Sequence, residues 1–108
     1  MVSAELAVAI VALLLVLSAL LGVLRAGMDR AAAVSVAGAV AREEARDGAV
    51  GPLWARLRDG LPPGSALTLG ERGDLVRATV SIPAPSGPAR LLLPDGVRVE
   101  ALALREAP

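Results

Sequence analysis

Hydrophobic positions are spread unevenly along this chain. Residues 6–24 read LAVAIVALLLVLSALLGVL, an uncharged stretch in which only Ser18 and Gly22 fall outside the aliphatic and alanine set. A helix over that stretch is about 28 Å long, close to the ~30 Å hydrocarbon thickness of a bilayer. The pattern predicts a transmembrane helix over residues 1–24. A cleaved signal peptide and a helix buried in a larger soluble protein share the pattern. The first ordinarily has a shorter apolar region behind a basic start, and the second needs more surrounding protein. No basic residue precedes the stretch here.

Residues 25–47 contain no proline and are rich in alanine, the best helix former, so the helix is expected to continue past the membrane edge. Within this continuation Ala33, Val36, Ala37, Val40 and Ala41 recur at helical spacing on one side. Arg42, Glu43, Arg46 and Asp47 favour water on the other. Gly48, followed by Gly51 and Pro52, supplies the stop signal. Residues 53–59 fit two further helical turns with Leu53, Trp54 and Leu57 on one side, before the breaker Gly60-Leu61-Pro62-Pro63-Gly64.

The period then changes from helical to alternating. Val76, Ala78, Val80 and Ile82 alternate with Arg77, Thr79 and Ser81, predicting a half-buried strand over 75–82. A partner strand over 66–70 joins it through Glu71-Arg72-Gly73-Asp74. Pro83, Pro85, Gly87 and Pro88 argue against regular structure to about Arg90, and Pro94-Asp95-Gly96 turns the chain into a last strand over 97–104. The expected fold class is α+β, a long N-terminal helix followed by a small antiparallel sheet of about three strands. Its parts are a membrane helix (1–24), a continuation of that helix (25–47) and a strand-rich unit (48–108).

Composition agrees with this division. Hydrophobic residues make up 55% of the chain and the mean hydropathy is +0.62, high for a protein whose surface must be largely polar. The residues after Asp47 are few enough to be marginal as an independent fold, so they are expected to lean on another element. A formal net charge of +0 and a single aromatic residue, Trp54, argue against nucleic acid as a partner. Without cysteine there are no disulfides and no thiolate metal sites. His, Lys and Tyr are also absent, which leaves few general bases or nucleophiles, and no serine elbow or phosphate-binding glycine loop occurs. The reading is therefore non-enzymatic, with no cofactor, metal or small-molecule substrate.

The start of the chain is its most informative part. Met1-Val2-Ser3-Ala4-Glu5-Leu6-Ala7-Val8-Ala9-Ile10 places a carboxylate five positions in, at the head of an apolar span. This resembles the processed N-terminus of type IV pilins. The V-S-A-E-L-A-V-A start, the Ala/Arg-rich helix ending Val40-Ala41-Arg42-Glu43-Glu44-Ala45-Arg46, and the short strand-rich tail are similar to the TadE-like minor pilins of Flp-type (tight-adherence) pilus systems, especially those of actinobacteria.

The resemblance implies that Met1 is the first residue of a processed chain. It implies that Glu5 faces the free amine of a neighbouring subunit's first residue and so sets the register of addition. It further implies other pilin subunits, pilus assembly machinery and membrane lipid as partners, and a C-terminal domain outside the cytoplasm, either at the cell membrane or on an extracellular pilus. Charge alone favours the opposite orientation, because Arg25 and Arg30 follow the span.

Physical chemistry leaves two roles open for Glu5. A charged residue at the centre of a membrane helix costs roughly 2.5–3.5 kcal/mol and calls for a partner. In the first helical turn near the headgroups, an acid instead gains about 0.3–1 kcal/mol from the helix dipole, with Ser3 as a possible cap.

Ser18, Gly22 and Ala26 recur every four residues, a small-residue stripe that permits close helix approach. Gly22 and Gly27 each weaken a helix by up to about 1 kcal/mol, marking a candidate point of local unwinding on passage from membrane to filament. Arg72-Gly73-Asp74 matches a tripeptide of integrin-binding adhesins, although turn chemistry accounts for it fully. Glu43, Glu44 and Asp47 beside Arg42 and Arg46 read as solvated ion pairs, and Arg90, Arg98 and Glu100 as isolated surface charges. The competing function is a single-pass membrane protein that displays its sheet to an envelope component and never enters a filament.

Overall fold

A computed structural model of the chain describes residues 2–105. Helix α1 (Val2–Ala45) is continuous through both Gly22 and Gly27. It is followed by α2 (Val50–Leu57), a 3-10 turn (Arg58–Gly60), strands β1 (Ala66–Arg72) and β2 (Leu75–Ile82), a second 3-10 turn (Gly87–Leu91) and β3 (Val97–Leu104). The strands form an antiparallel meander in the order β1-β2-β3. The class is α+β. Extents of 76 × 25 × 16 Å describe a rod with a small head along one half.

The helical stripe and the strand alternation meet in one core. Ala33, Val36, Ala37, Val40 and Ala41 of α1 are buried against Val76, Ala78, Val80 and Ile82 of β2 and Val99 of β3. Three of the five helix positions are alanine, so the sheet lies close to the helix backbone. α2 adds Val50, Leu53, Trp54 and Leu57 to the edge of this core. Trp54 is thus a packing residue. Arg77, Thr79, Arg98 and Glu100 take the opposite face of the sheet, which carries Thr68 and Ser81 as well.

Where α1 lies along the sheet fixes the orientation of the head. Ala103 and Leu104 at the end of β3 lie beside Arg42, Ala45 and Arg46. At the other end, Ile82 and Val97 line a groove with Gly22, Arg25, Ala26 and Asp29. β3 therefore runs in the same direction as α1, and the segment joining β2 to β3 (residues 83–96) is the part of the head nearest the apolar half of the helix. The β1–β2 turn lies at the far end.

The end of α1 corrects one expectation. The stop is a Schellman arrangement in which Asp47, not a glycine, takes the left-handed conformation at φ 56°. The Gly48 N–H donates to the Glu43 carbonyl at 2.8 Å and the Asp47 N–H to the Glu44 carbonyl at 3.0 Å. Gly51 and Pro52 do not lie between helices. They fall in the first turn of α2, where proline has no helical hydrogen bond to lose.

Aspartate tolerates the left-handed region better than alanine, and its carboxylate accepts a hydrogen bond from Arg105 Nη1 at 2.9 Å. Asp47→Ala is therefore expected to destabilise the head by about 1 kcal/mol, from added backbone strain and a lost exposed ion pair. In Asp47→Gly, relief of strain offsets the lost pair, giving stability within about 0.5 kcal/mol of the parent. Thermal melts followed by circular dichroism check this. Equal damage from both substitutions would remove the assignment of strain to this position.

Two strand-region expectations also change. β1 reaches Arg72 rather than stopping at Gly70, because Gly73 at φ 64° allows a two-residue turn and lets Glu71 and Arg72 pair with Val76 and Leu75. Residues 83–90 were expected to lack regular structure. Pro88 instead sits at the start of the second 3-10 turn, whose N-terminal end needs no amide donor, and the turn closes with Leu92 N–H donating to the Ala89 carbonyl at 3.0 Å.

Candidate functional site

The feature that needs explaining is the N-terminal half of α1. From Val2 to Leu24, fourteen large aliphatic side chains are exposed, among them Leu6, Ile10, Leu14, Leu17 and Leu20. Each is worth about 1.5–3 kcal/mol when removed from water, so the total is on the order of tens of kcal/mol. That exceeds the whole stability of a typical domain, about 5–15 kcal/mol. Apolar residues surround the helix on every side, and none of the most apolar stretch is covered by the rest of the chain. This helix is long and apolar enough to anchor the chain in a membrane.

Glu5 is the only charged residue among positions 2–24 and lies exposed in the first turn of α1. Ser3 is already helical, so it is not the cap. Ala4, Val8, Ala9 and Ala12 lie around Glu5 on one side of the helix, a low surface over which another helix backbone could pass closely. The Met1 amine, the implied partner of Glu5, lies outside the described residues.

The small-residue stripe is divided by the fold. Ser18 is exposed and Ala26 lines the groove beside the head. Gly22 is engaged within the chain, because the second 3-10 turn brings Ala89 onto it so closely that a methyl group added at Gly22 would overlap the Ala89 side chain. Of the three, Ser18 is the most open to another helix.

At the far end of the head, Arg105 joins three segments that no local sequence signal connects. Its guanidinium donates to Asp47 at the end of α1 and to Glu71 on β1, and its backbone N–H donates to the Asp74 carbonyl at 2.8 Å. Both carboxylates are mostly exposed, so each pair is worth at most about 1 kcal/mol. Arg72, Gly73 and Asp74 form the corner of the hairpin beside this clasp. The turn geometry accounts for the tripeptide.

The groove between α1 and the head holds about 400 Å³ and is lined mainly by proline, alanine and aliphatic side chains, with Arg25, Asp29 and Ser86 as its polar members. Among the described residues, no group of three or more Asp or Glu side chains converges as a metal site would require.

No family model matches this chain, and neither the curated proteins nor the solved structures contain a match. A bare apolar helix carries one acid at its head, and a small sheet is clamped to its other half.

Proposed function

We propose that this chain is a structural, non-enzymatic subunit of a surface filament, a TadE-like minor pilin of an Flp-type (tight-adherence) pilus system. Its helix α1 is held in the cell membrane before assembly and packs among the helices of other pilin subunits afterwards. The head lies outside the cytoplasm, and the assembly machinery draws the subunit from lipid into the fibre.

The observation that carries this reading is the pairing of an apolar surface on all sides of residues 2–24 with a single carboxylate at Glu5. A membrane anchor needs the first and gains from the second only the helix-dipole term of about 0.3–1 kcal/mol. A helix that leaves lipid for a bundle of like helices needs both, because the acid supplies a register point that apolar packing lacks. The alanines around Glu5 support close approach at that point.

The test is to shear fibres from cells producing the protein and examine them by peptide mass spectrometry. This chain is expected in the fibre fraction, with peptides from residues 1–24 present. Fibres that lack the chain, or contain only its head, would overturn the proposal. A chain that fractionates solely with membranes would support the anchored accessory protein instead.

A further inference from the structure

The head has its own exposed apolar point, at the end that faces the membrane helix. Leu91 is 87% exposed and Leu92 59% exposed, side by side at the end of the second 3-10 turn. Scattered exposed leucines need no explanation, but the position of this pair does. The turn is held on α1 by Ala89 packing against Gly22. Gly22 lies inside the uncharged run that ends at Leu24, so the turn overlaps that run by about 4 Å at 1.5 Å per residue. Charged residues resume on α1 only at Arg25.

With α1 across a bilayer, the turn is thus held at the depth where hydrocarbon gives way to headgroups. At that level two neighbouring exposed leucines gain from entering the acyl boundary. Arg90 and Arg25, both exposed, have stems long enough to lie along apolar surface while their guanidinium groups reach the headgroups.

The geometry points to the second 3-10 turn as an interfacial membrane contact, with Leu91 and Leu92 entering the lipid beside α1 and the two arginines meeting anionic headgroups. This inference rests on the reading of α1 as a membrane helix. It adds that the head sits directly on the bilayer, with its rotation about the helix fixed by a second point of attachment. The β1–β2 turn, at the far end, points away from the lipid.

The absence of native cysteine allows a direct test on the full chain. Leu91→Cys, Leu92→Cys, Leu14→Cys and Asp74→Cys carry a nitroxide label in vesicles of phosphatidylcholine with a minor share of phosphatidylglycerol, at high dilution in lipid. All four side chains are exposed, so none of the labels disturbs the core. Collision with oxygen, which concentrates in lipid, is compared with collision with a water-soluble nickel chelate.

Labels at 91 and 92 are expected to fall between the label at 14 and the label at 74, favouring oxygen severalfold over the latter. Water-like labels at 91 and 92 beside a lipid-like label at 14 would overturn the inference while leaving the anchor intact. A water-like label at 14 would remove the membrane reading itself. Shielding of 91 and 92 from both reagents would mean a protein contact, and would also overturn the inference.

Discussion

Replacing Glu5 by glutamine or lysine is expected to remove this chain from surface fibres while leaving its amount in the membrane, and the fold of its head, unchanged. The head first touches α1 at Gly22 and its buried core begins at Ala33, both several turns from Glu5, so the substitutions touch no residue of the core. Two accounts of Glu5 differ in size. If the acid serves only the helix dipole, losing its charge costs about 0.3–1 kcal/mol, which lowers an assembly equilibrium by less than about tenfold. If it pairs with an amine in an interior that excludes water, removing one partner leaves the other charge buried, at about 3–5 kcal/mol. That lowers incorporation by about a hundredfold or more. Glu5→Lys places like charges together and is expected to be the more severe of the two. Quantifying the chain in sheared fibres against its amount in membranes decides the matter. Glu5→Gln entering fibres at the parental level would leave no pairing role to defend.

Much of the fold is written in short-range pattern. The stripe of Ala33, Val36, Ala37, Val40 and Ala41 has a helical period and is the buried face. The alternation from Val76 to Ile82 has a strand period and supplies the other side of the same core. Both signals are local, so neither requires knowledge of the rest of the chain.

The misreadings occur where a distant partner or a hydrogen-bond closure decides. Asp47 takes the left-handed position ahead of Gly48 because the closing bonds to Glu43 and Glu44 place it there. Glycine is merely the commoner occupant. Arg105 finds Asp47, 58 residues away, only once the sheet has folded back along α1. The stretch 83–90 looked irregular because its prolines exclude helix and strand alike. A 3-10 turn starting at proline needs neither.

The candidate site divides in the same manner. Glu5 stands out in sequence because it is one charge within a long apolar run, and its exposed place in the first turn follows from helix geometry alone. Gly22 stands out as well. As a small residue in a stripe it suggested a second helix, whereas the fold places Ala89 of the same chain against it. Nothing local to residues 18–26 encodes that contact. It depends on where the end of β2 delivers the following turn.

This contact makes the two helix glycines unequal, and they are expected to respond in opposite senses to a larger side chain. Glycine within a helix costs roughly 0.5–1 kcal/mol relative to alanine. At Gly27 an added methyl group meets nothing within 4 Å, so Gly27→Ala is expected to realise that gain. At Gly22 the same methyl overlaps Ala89, and overpacking of this kind costs about 1–3 kcal/mol, which outweighs the helical gain. Gly22→Leu leaves no room for Ala89 at all, so the second 3-10 turn must lift from α1.

Arg90 lies in that turn, which provides a readout, because trypsin cuts a segment in proportion to how often it opens. In detergent-solubilised full-length protein, cleavage after Arg90 is expected to rise about tenfold or more for Gly22→Leu, the ratio that corresponds to about 1.4 kcal/mol of lost docking. Gly27→Ala is expected to leave it unchanged or slower. Unchanged cleavage in Gly22→Leu would show that the turn is not held at this glycine. The depth assigned to Leu91 and Leu92 would then lose its support, since it is the contact with Gly22 that sets their level along the helix.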